Sequence, residues 1–235
     1  FSHVSADPDE LTASLIRGAY EYQGQKCSAA SRAYIPESLW ATVRDQLCDQ
    51  VQQIAYGDVA DFTNFMGAVI DESAYTLLTR YIDAAKADTD ADILCGGSYN
   101  KDTGYFIAPT IIQAYDPHYA TMETELFGPV LTVFVYPDNK YAETLDLCDQ
   151  TSPYALTGSI FARDRQAINL AYEKLRHSAG NFYINDKPTG AVVGQQPFGG
   201  SRASGTNDKA GSYLNLIRWI PPRTTKENFS PARDY

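Results

Sequence analysis

One cysteine has neighbours that suit a reactive thiol. Cys27 follows Gly24-Gln25-Lys26, and four small residues, Ser28-Ala29-Ala30-Ser31, come after it. Small side chains leave room for a substrate and for backbone amides around a developing oxyanion, and an adjacent lysine favours a thiolate. No histidine is near in sequence, so a cysteine–histidine pair is not indicated. The alternative is an ordinary buried cysteine without a chemical role.

A second segment, ETELFGPV at 123–130, has residue types that could hold a cofactor. The carboxylate of Glu125 can accept hydrogen bonds from sugar hydroxyls, and the ring of Phe127 can pack on a flat heterocycle. The alternative is a plain helix end that turns into a strand.

A third segment, at 187–211, is rich in glycine. Its first turn, Thr189-Gly190-Ala191, and its second, Phe198-Gly199-Gly200, flank a short apolar run. Free backbone NH groups in two such turns could bind a carboxylate. Neither turn has the spacing of a phosphate-binding loop, and a long ordered turn is the alternative.

The remaining cysteines do not form a disulfide or metal pattern. Cys48, Cys95 and Cys148 are far apart, and none of the three histidines has zinc-ligand spacing, so no metal is expected. Four cysteines in 235 residues indicate a reducing compartment rather than a disulfide framework. Cys48 and Cys95 are predicted to lie in the core, because they accompany apolar stripes.

The charge composition indicates which classes of binding partner are not expected. The chain carries 29 acidic and 19 basic residues, a net charge of −10. Such a surface repels phosphates and anionic lipid, so nucleic acid and membrane partners are not expected. No apolar run is long enough to span a bilayer, and the first residues lack the pattern of a signal peptide. Because an initiator Met is also lacking, we expect a processed chain or a piece of a larger one.

Alternating periodicities predict the elements that must position these segments. Asp7 and Pro8 suit the start of a helix that continues to residue 22. Alternation of strands with long helices predicts an α/β fold with a largely parallel sheet. Further helices are predicted over 37–54, 71–87, 139–151 and 164–176, and strands over 31–36, 91–97, 104–115, 129–137, 157–163 and 180–186.

The order of the motifs along the chain points to a particular family more specifically than any single motif does. GQKCS, ETELFGPV, GNFYIND and PFGGSRASG, in this order, resemble the catalytic half of the aldehyde dehydrogenase superfamily, and the resemblance covers essentially the whole chain. It implies an aldehyde dehydrogenase catalytic domain over 1–212 and a C-terminal oligomerisation arm over 213–235, which would make a homo-oligomer. In this family the NAD-binding domain, the general-base glutamate and an oxyanion-hole asparagine precede the cysteine by more than the residues present here. We therefore expect the 235 residues alone not to oxidise aldehydes.

The resemblance also implies roles for individual residues. Cys27 resembles the nucleophile, and Glu125 and Phe127 resemble the residues that hold the ribose and nicotinamide of NAD. Glu21, although close to Cys27, lies in the predicted helix and matches no site position of the family, so it receives no role.

The substrate implied by the resemblance is L-glutamate γ-semialdehyde, oxidised to L-glutamate in proline breakdown. Ser28 and the turn Thr189, Gly190 and Ala191 would anchor its α-carboxylate and α-amino groups. Phe198 would form an aromatic wall along its aliphatic chain. Eukaryotic enzymes of this kind work in the mitochondrial matrix. Two alternatives stay open: an aldehyde dehydrogenase of different specificity, and a non-catalytic truncated form that acts as an interaction module.

Overall fold

Helices and strands alternate along the chain in the computed structural model, which describes all 235 residues. The helices are α1 Pro8–Tyr20, α2 Glu37–Val51, α3 Glu72–Ala87, α4 Ala120–Glu123, α5 Tyr141–Gln150, α6 Arg165–Lys174 and α7 Tyr213–Ile217. The strands are β1 Arg32–Pro36, β2 Ala91–Cys95, β3 Tyr99–Asn100, β4 Phe106–Ile107, β5 Thr110–Ala114, β6 Val130–Tyr136, β7 Tyr154–Ala155, β8 Thr157–Ile160, β9 Asn181–Ile184 and β10 Ser201–Arg202. The predicted α/β class is thus confirmed.

The main sheet is mixed rather than largely parallel as predicted. Its strands lie in the order β1-β6-β5-β2, with β1 and β5 parallel to β6 and β2 antiparallel to β5. The chain between β2 and β5 contains only the short β3–β4 hairpin, with no helix to carry it back across the sheet. A parallel arrangement needs such a crossover, so β2 returns antiparallel. Elsewhere, α6 connects the parallel pair β8 and β9.

Both faces of the main sheet are covered. Alternating residues of β1 point to opposite sides, so Ile35 joins a core with Leu47 of α2, while Tyr34 joins a second core with Leu145 of α5. Cys95 is buried, as predicted, whereas Cys48 is only partly buried at the edge of the first core. None of the helices combines the length and apolar character that a bilayer span requires.

The first helix begins as predicted but ends earlier. The Asp7 side chain accepts hydrogen bonds from the first-turn NH groups of Asp9 and Glu10. The helix ends at Tyr20, two residues before the predicted end, because Tyr22 and the residue after it have positive φ angles of 56° and 57°. This left-handed turn redirects the chain into the Cys27 segment, and it removes Glu21 from the helix in which it was predicted to lie.

The C-terminal region contains one element that the sequence analysis missed. The short helix α7, capped by the side chain of Ser212, lies at the start of the predicted arm. After it, residues 221–235 form neither helix nor strand and are exposed throughout.

Candidate active site

The Cys27 thiol is available for chemistry. Cys27 is exposed, in contrast to the ordinary buried cysteine that was the alternative. It lies in a turn closed by a hydrogen bond from Ala29 N to Lys26 O at 2.9 Å. The chain reaches this turn through Gly24, directly after the left-handed end of α1. The same local break that shortens α1 therefore presents the thiol to solvent.

The other cysteines are poor nucleophiles. Burial raises the pKa of Cys95 to about 12, and the nearby Cys48 thiol adds to this effect. Burial also raises the pKa of Cys48 and of Cys148. Since the thiolate is the reactive form, these three thiols are disfavoured relative to an exposed one.

A cavity of about 200 Å³ brings the thiol together with the second predicted segment. Cys27, Glu125 and Phe127 all line it. Glu125 is exposed, and the Phe127 ring is 42% exposed on a backbone with a φ of 57°. An exposed carboxylate and an exposed aromatic face beside a thiol fit the sugar and flat ring of a nicotinamide nucleotide.

Direct backbone contact holds these two segments together. A Cβ atom added to Gly24 would lie 2.3 Å from the carbonyl oxygen of Gly128, which is far inside van der Waals contact. Gly24 also has a φ of 66°, a conformation that side chains disfavour. Only glycine therefore fits where the Cys27 segment crosses the end of the Glu125–Phe127 segment.

The third predicted segment also reaches the Cys27 turn. Ser28 and Thr189 are both buried, and Ser28 Oγ donates a hydrogen bond to Thr189 Oγ1 at 2.9 Å although 161 positions separate them. Gly190 follows with a φ of 91°, and Ala191 is partly exposed. The turn 189–191 thus lies beside the residue that follows the thiol. Neither this turn nor Ser28 is among the residues that line the Cys27 cavity, so their contact with a substrate head group stays a prediction.

Phe198 lies elsewhere. Its half-buried ring lines a separate shallow depression that includes Lys209, and it does not line the Cys27 cavity. Two hydrogen bonds with Ala210, at 2.9 and 2.7 Å, hold the backbone of this loop. The structure does not bring Phe198 to the thiol, so its contact with substrate stays a prediction.

Sequence reasoning missed several polar residues that hold the site loops. Glu21 binds Lys26 and Lys187, which lie in the two loops that meet at Ser28. Asn181 binds the carbonyl of Pro197 and the NH of the residue after Phe198. The charges of Glu21 and Lys26, five positions apart, were visible in the sequence, but Lys187 lies 166 positions from Glu21 and gave no local signal.

An α/β scaffold that exposes one cysteine thiol on a cavity, beside a buried serine–threonine hydrogen bond, is an arrangement expected of enzymes with a cysteine nucleophile. The chain belongs to the aldehyde dehydrogenase family, whose sequence model matches residues 3–217.

Individual members of this family are similar to the chain over most or all of its length. Over its whole length the chain is 58% identical to the mitochondrial delta-1-pyrroline-5-carboxylate dehydrogenase of Dictyostelium discoideum and 47% identical to that of Homo sapiens. It spans 42% of the length of each. The crystal structure of the Mycobacterium tuberculosis delta-pyrroline-5-carboxylate dehydrogenase bound with NAD matches with a TM-score of 0.89 and 50% identity, over 100% of this chain and 42% of that one. The Thermus enzyme with bound NAD matches with a TM-score of 0.81 and 35% identity, over 92% of this chain and 40% of that one.

Proposed function

We propose that these 235 residues form the catalytic part of an NAD-dependent enzyme that oxidises L-glutamate γ-semialdehyde to L-glutamate in proline catabolism. The observation that carries this proposal is the buried hydrogen bond from Ser28 to Thr189 beside the exposed Cys27 thiol. It supports a turn that would hold an amino-acid head group next to a nucleophile that would attack an aldehyde. The names of the relatives point to the same substrate.

The reaction begins at the sulfur of Cys27. The thiolate adds to the aldehyde carbon, and the carbonyl π electrons move to the oxygen, where the Cys27 backbone NH donates a hydrogen bond. When held by Glu125 and Phe127, NAD would supply the acceptor for the hydride on this carbon. As the hydride leaves, the oxyanion electrons re-form the C=O bond, and a thioester remains on the Cys27 sulfur. Water then adds to the thioester carbon and gives up its two protons to solvent through the general base in the rest of the protein. The C–S bond breaks, and glutamate and the Cys27 thiolate are released.

The residues that would hold NAD are Glu125 and Phe127. Glu125 would accept hydrogen bonds from the nicotinamide ribose, and Phe127 would pack against the ring. Support comes from their exposure to the cavity that Cys27 also lines. Together they would orient the nicotinamide face toward the aldehyde carbon.

The residues that would hold the amino-acid end of the substrate are Ser28, Thr189, Gly190 and Ala191. A hydroxyl and turn NH groups can donate to a carboxylate. Phe198 would pack along the aliphatic chain. Pinning the head group at a fixed distance brings the aldehyde to Cys27 only for a substrate of matching length.

The remaining parts of the enzyme would come from outside these residues. The chain spans about two-fifths of each relative, so we place the NAD-binding domain, the general-base glutamate and the oxyanion-hole asparagine in the rest of a longer protein. The catalytic domain would cover 1–212. The mitochondrial names of the eukaryotic relatives support a location in the mitochondrial matrix.

Comparison of two aldehydes tests the substrate. The full-length protein that contains this sequence should form NADH from glutamate γ-semialdehyde with a kcat/KM roughly 10²-fold or more above that for pentanal, because only the former has a head group to pin. Equal kcat/KM values would indicate an aldehyde dehydrogenase of different specificity. The 235 residues alone, as the control, should form no NADH.

We also place an oligomerisation arm at 213–235, which would pair with a second copy. Its apolar side chains are unusually exposed for a soluble domain surface, for example Trp219 at 81% and Phe229 at 88%. Sedimentation of the full-length protein should show a homo-oligomer, and removal of 213–235 should shift it to smaller species. If removal of 213–235 left the number of subunits unchanged, or if the full-length protein were a monomer, the proposed role of the arm would be contradicted.

A further inference from the structure

A single carboxylate at the end of α1 joins three basic side chains. Glu21 accepts hydrogen bonds from Lys187 Nζ on both oxygens at 2.8 Å, from Lys26 Nζ at 3.0 Å and from Arg17 Nε at 2.9 Å. The side chains of Glu21, Lys26 and Lys187 are only 19%, 23% and 18% exposed, whereas Arg17 is 61% exposed. The two lysines therefore make the sheltered contacts, and Arg17 makes an outer one.

The carboxylate stays charged at working pH. Burial by itself raises the pKa of Glu21, but the hydrogen bonds from Lys187 and Lys26 outweigh burial and lower the pKa to about 2. The ion pairs consequently persist across the pH range in which a matrix enzyme works, and partial burial protects them from screening by salt.

The two lysines belong to the two loops of the proposed site. Lys26 directly precedes Cys27, and Lys187 lies two residues before Thr189. Glu21 thus ties the backbone that carries the nucleophile to the backbone that carries the head-group turn.

Helix α1 supports this tie through Gly18. A Cβ atom added there would lie 3.3 Å from Ala30 of the first loop and 3.3 Å from Pro188 of the second. Ala30 N also donates a hydrogen bond to Gly18 O at 2.9 Å. The helix therefore packs against both loops, and Glu21 fastens both of them at its end.

We propose that Glu21 is a positioning residue that fixes the separation between the Cys27 thiol and the turn 189–191, and so selects aldehydes that carry an amino-acid head group. The inference rests on the proposed function, because only a substrate that spans both loops senses their separation. A simple alkyl aldehyde contacts the thiol end alone. Loss of the Glu21 ion pairs therefore weakens the binding of an aldehyde with an amino-acid head group more than the binding of a simple alkyl aldehyde.

Substitution of Glu21 in the full-length protein tests this role. In Glu21→Gln, the KM for glutamate γ-semialdehyde should rise roughly tenfold, with a much smaller change in kcat and in the KM for pentanal. Arg17→Gln, which removes the exposed outer contact, is the matched control and should change every constant less than about twofold. An equal change for both aldehydes, or no change, overturns the proposal.

A second variant and a second readout keep the test decisive. If Glu21→Gln does not fold, Lys187→Met cuts the same tie from the other loop and should give the same split between the two aldehydes. The rate at which iodoacetamide alkylates Cys27 should rise about threefold or more in Glu21→Gln, because the charge of Lys26, which lines the same cavity as Cys27, then lacks its counter-ion. If the wild-type protein does not oxidise the semialdehyde, the proposed function fails, and an unchanged alkylation rate then overturns the positioning role as well.

Discussion

Replacing Cys27 with alanine in the full-length protein should lower kcat for aldehyde oxidation by roughly 10³-fold or more, since no covalent intermediate can form. The exposed position of Cys27 on the cavity shared with Glu125 and Phe127 is the reason to expect so large an effect. The measurement is the rate of NADH formation at saturating NAD and semialdehyde, with folding checked by circular dichroism.

Cys48→Ala is the matched control for this prediction. Cys48 lies at the edge of the first core, and burial raises its pKa, so its loss should leave kcat within about twofold. If Cys27→Ala retained more than about a tenth of the wild-type kcat, a covalent route through this sulfur would be excluded.

The second large effect concerns the glycine on which the site's assembly depends. In Gly24→Ala the new methyl group would lie 2.3 Å from Gly128 O and 2.7 Å from Ala19 O, both backbone atoms that cannot rotate away. The positive φ of 66° adds strain for alanine. We expect a loss of about 3 kcal/mol or more in the free energy of unfolding, together with displacement of the Cys27 turn.

Denaturant unfolding with a matched glycine separates these two causes. Gly194 has a φ of 80°, but a Cβ atom there would meet nothing within 4 Å. Gly194→Ala should therefore cost only about 1 kcal/mol, the strain of the backbone alone. If the two variants lost equal stability, close contact between the Cys27 segment and Gly128 would not be the reason for glycine at position 24.

The sequence predicted most elements because their signals are local. Asp7 and Pro8 marked the start of α1, and the apolar spacing along α2 marked a helix that buries Val43 and Leu47. The run at 129–137 marked β6 through its β-branched residues. Each of these signals lies within a few residues of the element that it predicts.

The direction of β2 could not be predicted in the same way. Its own residues are compatible with either direction, and only the missing crossover helix before β5 decides it. The early end of α1 could not be predicted from local sequence either. Tyr22 has no sequence signature of a left-handed residue, and the contact between Gly24 and Gly128 that requires this turn is distant in sequence.

The candidate site also contains some features that local sequence predicts and others that only contacts between distant segments explain. The small neighbours of Cys27 indicated an accessible thiol from local sequence alone. The meeting of Ser28 with Thr189 rests on the resemblance to a family, since no local pattern reports a contact across 161 positions. Glu21 received no role because it lay in the predicted helix and matched no site position of the family, and only the fold reveals that Lys187 reaches it.

The most direct test of the central claim is competitive labelling of the full-length protein with iodoacetamide, followed residue by residue with mass spectrometry. We predict that Cys27 is alkylated well before Cys95 and that added L-glutamate slows the alkylation of Cys27 alone, because the bound head group blocks the approach to its sulfur. Alkylation of Cys27 no faster than that of Cys95, with no protection by glutamate, would contradict the account.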